Sequence, residues 1–70
     1  MTRVELTSSV MTSAGYDAAS AILEIEFRRG TIYQYVDVPA TEYEALLTSS
    51  SKGRFFHARL EGMFAYRRID

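Results

Sequence analysis

Two β-prone runs flank Arg28-Arg29-Gly30, and the turn between them constrains the rest of the chain more than any other feature. On one side Ala21, Leu23, Ile25 and Phe27 alternate with Glu24, Glu26 and Arg28, the period of a half-buried strand. On the other runs Ile32-Tyr33-Gln34-Tyr35-Val36-Asp37-Val38-Pro39, ending on the only proline. A three-residue loop with Gly30 in the left-handed region pairs Phe27 with Thr31, Ile25 with Tyr33 and Leu23 with Tyr35. Both tyrosines then share the face of the apolar residues. A four-residue loop slips the partner by one and turns them outward, because strand side chains alternate strictly. The three-residue form is the expected one.

Upstream, Val10, Thr12, Ala14 and Tyr16 fall on one side of a weaker strand, with Met11, Ser13 and Gly15 on the other. Asp17-Ala18-Ala19-Ser20 supplies turn chemistry, since an aspartate can bond its own downstream backbone. Residues 1–7 read as a loosely held arm or a short strand, and residues 8–70 as a single domain. Downstream, Thr41-Glu42-Tyr43-Glu44 has the pattern of a capping box, with Tyr43, Leu46 and Leu47 as the apolar side of the helix it starts. Thr48-Ser49-Ser50-Ser51 ends that helix, because short hydroxyl side chains compete for backbone bonds. A second short helix is expected from Ser50 or Ser51, with Phe56, Arg59 and Leu60 on one face, and Gly62 ends it or turns the chain. Met63 to Ile69 alternates Phe64 and Tyr66 against Ala65 and Arg67, as a last strand would.

These elements define an α+β fold: an antiparallel meander of three strands, two short helices, and a final strand returning to the sheet, β-β-β-α-α-β. The expected core is Leu23, Ile25, Phe27, Tyr33, Tyr35, Leu46, Leu47, Phe56 and Leu60. On the other face Glu24, Glu26 and Gln34 accompany Ile22, Ile32 and Val36, an apolar row that would be exposed if nothing covers it. Seventy residues without cysteine must be stabilised by packing rather than by disulfides or thiolate-bound metal. Five tyrosines and four phenylalanines supply the material.

The residue types narrow the function classes. A lone histidine and the absence of cysteine exclude a Cys-His pair and a multi-histidine metal site. No nucleophile-elbow or phosphate-loop spacing occurs. The expectation is a protein without catalytic residues, metal or cofactor. No apolar run reaches the ~20 residues of a membrane span or forms a leader, so a cytoplasmic location is expected, without membrane partners. Net charge of −1 argues against a strongly basic nucleic-acid binder, yet one segment stands apart. From Ser49 to Arg59 there are Lys52, Arg54, His57 and Arg59 and no acidic residue. With Ser51 and Gly53 leaving backbone amides free at a helix start, the segment is a candidate phosphate or nucleic-acid site. Tyr33, Tyr35, Phe55 and Tyr66, beside Arg54, Arg67 and Arg68, are candidates for stacking on bases. Phe55 is the better placed of them, because Phe56 takes the helix face. The bland reading of the same segment is a serine-capped helix with a solvated basic face.

Ser8-Ser9, Gly15-Tyr16-Asp17, Leu23-Glu24-Ile25-Glu26-Phe27, Gly30, Tyr33-Gln34-Tyr35, Val38-Pro39, Tyr43, Leu46-Leu47, Ser51-Lys52-Gly53-Arg54-Phe55-Phe56 and Tyr66 together resemble the KTSC domain family. That family is named for the C-terminal extension of some lysyl-tRNA synthetases. The resemblance spans most of the chain and implies a small bacterial or phage domain. It implies little about activity; RNA is the partner that attachment to a synthetase points to. His57 stands where relatives tend to carry asparagine, so a role needing an amide there is not carried over. The functional expectation is a non-enzymatic RNA or nucleic-acid binding module acting through the basic helix start. The alternatives are a protein-interaction or self-associating module built on Ile22, Ile32 and Val36, and capture of a small phosphorylated ligand.

Overall fold

A computed structural model describes residues 1–70. It is an α+β fold with one antiparallel five-stranded sheet, in sequence order from edge to edge: β1 (Val4–Glu5), β2 (Met11–Asp17), β3 (Ile22–Phe27), β4 (Ile32–Tyr35) and β5 (Tyr66–Arg68). Between β4 and β5 lie two helices, α1 (Ala40–Thr48) and α2 (Lys52–Phe55), the latter running straight into a π-helical turn at Phe56–Leu60. The meander therefore has four strands before the helices rather than three. The additional one is β1, where Val4 pairs with Ala14 and Glu5 with Ser13. Two residues are too few to leave a periodic signal in the sequence. No helix is long and apolar enough to cross a membrane.

The Arg28-Arg29-Gly30 turn sets the register as its glycine requires. Gly30 has φ of 98°, Phe27 and Thr31 close the loop with a 2.9 Å backbone bond, and Ile25 faces Tyr33 while Leu23 faces Tyr35. Tyr35 is consequently buried and Tyr33 half-buried, on the side of Leu23, Ile25 and Phe27.

The β2 strand departs from simple alternation. Met11 pairs with Phe27 and Ser13 with Glu26, so Thr12 is an extra residue, a β-bulge of the kind that reverses the side-chain order on one side of it. Met11 joins Ala14 and Tyr16 on the core face and is fully buried, whereas uninterrupted alternation would have placed it outside with Ser13 and Gly15. The core comprises Leu6, Met11, Ala14, Leu23, Ile25, Phe27, Tyr35, Val38, Leu46, Phe56 and Leu60, with Tyr33 and Leu47 packed partly buried against it.

The capping box at Thr41 does not form. Helix α1 starts earlier, with Pro39 as its N-cap in extended conformation and no side-chain cap bond. Proline's fixed φ and missing N–H suit a helix entry, and Thr41 and Glu44 then both lie inside the helix, where Thr41 cannot act as the cap. Tyr43 of α1 stacks on Tyr16 at 5.4 Å between centroids, and the Tyr16 hydroxyl donates to the Val38 carbonyl at 2.6 Å. These contacts anchor α1 over β2.

The opposite sheet face is polar and internally bonded. Glu24, on the central strand and buried, accepts from Arg3 Nη1 at 2.7 Å and from Gln34 Nε2 at 2.8 Å. Ser13 donates to Glu26 at 3.0 Å, and Arg67 donates to Gln34 from β5. Ile22, Ile32 and Val36 are half-buried rather than an open apolar row.

Candidate functional site

The expected basic segment begins at Ser51, which occupies the N-cap position of α2 in extended conformation but makes no side-chain cap bond, so the serine cap expected from the sequence does not form. Gly53, in the first turn, faces Val10: a Cβ there would lie 3.1 Å from Val10 Cγ2. The absence of a side chain at 53 lets α2 sit against the loop that leads into β2. That loop is itself ordered, since the Ser8 hydroxyl accepts from the Val10 and Met11 amides at 3.0 and 3.2 Å. Arg28 reaches back from the hairpin tip to donate to the Ser8 carbonyl at 3.0 Å. Thr7, Ser8 and Ser9 thus line one side of a cleft of about 390 Å³, with Ser50, Ser51, Lys52, Arg54 and His57 also lining it. No carboxylate lines it.

Within the cleft, Lys52 Nζ donates to the Ser49 carbonyl at 2.9 Å, which places the ammonium at the helix start. Arg54 is exposed and in no ion pair. His57 Nδ1 lies 2.8 Å from Glu61 Oε1, one turn on, with both side chains largely exposed. The arrangement offers hydroxyls, cations and an imidazole, groups that bind phosphate oxygens. No group of three or more histidine, aspartate or glutamate side chains converges to hold a metal.

The structure brings Ser51, Lys52, Gly53, Arg54 and His57 together and separates Arg59 from them. Arg59 turns to α1, pairing with Glu42 at 2.9 Å, and lays its guanidinium 5.5 Å from the centre of the Phe55 ring. The π-helical turn accounts for this: widening the helix after Phe55 rotates later residues relative to Lys52 and Arg54. Arg59 therefore lines no part of the cleft, and Phe55 is partnered by an arginine. Tyr35 is closed off by burial, only 3% exposed, so its ring is not free to stack on a base. Tyr33 keeps part of its surface.

Sequence reasoning missed the Thr7–Val10 loop, whose residues were divided between the end of the arm and the start of the domain's first expected strand, and Arg28 and Arg29, read as turn residues. The serine pair at 8 and 9 carried a signal, because it belongs to the same resemblance as Ser51-Lys52-Gly53. Nothing local tied the two together.

A small five-stranded antiparallel sheet with helices inserted before its last strand, and two serine-rich segments meeting at one end, defines the class of domain. A family model described as the KTSC domain matches residues 7–64, and the chain belongs to the KTSC domain family. A crystal structure of a KTSC domain protein from Yersinia pestis superposes with a TM-score of 0.96 at 39% identity, covering 99% of this chain and 97% of that one. An uncharacterized protein of Stutzerimonas stutzeri (strain A1501) is 44% identical over the full length of both chains. A lysine–tRNA ligase of Nostoc sp. is 39% identical over 55 residues, which is 79% of this chain and 10% of the ligase. The chain thus matches about a tenth of that ligase's length.

Proposed function

We propose that this domain is a non-enzymatic binding module for phosphate-bearing ligands, single-stranded RNA foremost. The observation that carries the reading is the cleft between the Thr7–Val10 loop and the start of α2. Lys52 and Arg54 line it together with serine and threonine residues, and no carboxylate does. Sequence positions some forty residues apart converge on one polar, cationic cleft, although the chain as a whole is slightly acidic. Resemblance to a segment of lysine–tRNA ligases puts RNA first among the ligands to try.

The test is an amide NMR titration with a short mixed-sequence single-stranded RNA at low and moderate salt. Shifts are expected at Thr7–Val10 and Ser50–His57, fading as salt rises, because phosphate contacts release counterions. The Lys52→Glu, Arg54→Glu double variant should weaken binding at least about tenfold, the scale of lost charge-assisted bonds. Unchanged affinity in that variant, or no shifts at low salt, would remove the reading.

A further inference from the structure

A second cavity, of about 450 Å³, adjoins the hydroxyl-lined cleft, and Val10 and His57 line both. Its character is different. Phe27, Tyr33, Tyr35 and Phe56 give it an aromatic lining, and Tyr66 contributes a ring from β5. Tyr66 is held by its neighbours, with centroids 5.2 Å from Tyr33 and 5.5 Å from Tyr35, yet it remains 60% exposed. A ring fixed on one side and open on the other is a platform. Arg28 and Arg29 reach the same cavity from the hairpin tip, and Glu61 is the only carboxylate lining it.

We propose that this cavity receives the base of a nucleotide whose phosphate lies in the adjoining cleft. The inference rests on the phosphate reading above and deepens it by naming the ligand unit. Three features carry it. The volume is within the range of small-molecule sites, about 300 to 1,000 Å³, and accommodates one base with its sugar. Stacking on an open tyrosine suits any base, since each has a π-face. Glu61 gives the site a preference: Oε1 faces His57 Nδ1 at 2.8 Å, which leaves Oε2 to accept from an exocyclic amino group. Adenine, cytosine and guanine carry such a group; uracil does not. Because His57 borders both cavities, a ligand that fills both passes beside the imidazole.

The experiment titrates the full chain with four probes, ribose 5-phosphate, adenosine, adenosine 5′-monophosphate and uridine 5′-monophosphate, following amide and tyrosine ring signals. Adenosine and its monophosphate should move Tyr33, Tyr66 and Glu61, and the monophosphate should bind about tenfold more tightly than ribose 5-phosphate, as one stacked base contributes. Tyr66→Ala should abolish that advantage while leaving ribose 5-phosphate shifts at Lys52 and Arg54 unchanged. Tyr66→Leu, which keeps apolar cover over Tyr33 and Tyr35, should do the same, separating lost stacking from lost packing. Glu61→Gln should narrow the preference for adenosine over uridine monophosphate. Adenosine monophosphate binding no more tightly than ribose 5-phosphate, or shifts confined to Ser50–Arg54, overturns the base subsite and leaves the phosphate cleft standing. Silence at Ser50–Arg54 with every phosphorylated probe removes the phosphate reading instead.

Discussion

Gly15 and Gly30 lack side chains for opposite reasons. At Gly15 the constraint is space: a Cβ would lie 2.6 Å from the Thr2 carbonyl oxygen, with Arg3 and Met1 side-chain atoms just beyond. Gly15→Ala must push the N-terminal residues off the sheet, at a cost of about 1 to 3 kcal/mol as for other overpacked sites. At Gly30 nothing lies within reach of a Cβ, and the constraint is its φ of 98°. Gly30→Ala should cost about 1 to 2 kcal/mol through backbone strain alone. Denaturation midpoints give both costs. Chemical shifts distinguish the mechanisms, since only Gly15→Ala should disturb the amides of Thr2 and Arg3. Tyr35 adds a pH dependence. Burial, and then the neighbouring Tyr33 and Tyr66 phenols, drive its pKa far above the ordinary value of 10.0. The unfolded chain releases this proton first, so the contribution to stability is complete below pH 10 and is lost as pH rises beyond it. Tyr35→Phe should flatten the alkaline fall in the urea midpoint.

Among the elements, β1 is too short to hold itself and depends on what Arg3 does beside it. The Arg3 guanidinium reaches past the strand to Glu24 on β3 at 2.7 Å and lies 3.9 Å from Glu26. Since Glu24 is only 8% exposed, Arg3→Ala leaves a buried carboxylate oxygen without its partner and should cost about 1 to 3 kcal/mol. Because Gly15→Ala displaces the same arm, the double variant should lose less than the sum of the two, and a double-mutant cycle measures the shortfall. The α2 element makes a parallel case at the candidate site. Gly53→Val adds branched carbons at a position where even a Cβ would stand 3.1 Å from Val10 Cγ2. It should part α2, and Lys52 and Arg54 with it, from the Thr7–Val10 loop without removing either charge, so on the proposed reading RNA affinity falls, a loss the NMR titration reads directly.

At the scale of the molecule, a net charge of −1 conceals an uneven distribution. Arg28, Arg29, Lys52 and Arg54 line the two adjoining cavities against one carboxylate, Glu61, while Glu24 and Glu26 are engaged on the polar outer sheet face. If the proposed RNA-binding reading holds, the logarithm of affinity falls with the logarithm of salt concentration with a slope of about −2 to −3, that of three or four neutralised phosphates on a single strand. Each charge reversal among the four cations should make that slope shallower by about one contact.

The strands and helices were legible where the physics is local. Strand period in β3 and β4, the left-handed glycine at position 30 and the serine run before α2 each act over a few residues, so the chain alone determined the β3–β4 register and the place of the second helix. The bulge at Thr12 and the two-residue β1 were decided by pairing with distant partners, which local alternation does not report, while at the helix entry proline's fixed φ at Pro39 prevailed over the capping pattern at Thr41. The candidate site divides in the same way. Ser51, Lys52, Gly53, Arg54 and His57 are neighbours in sequence and could be read together. Their junction with Thr7, Ser8 and Ser9, the approach of Arg28, and the departure of Arg59 to Glu42 exist only once the sheet has closed, because each depends on side chains meeting across elements that lie far apart along the chain.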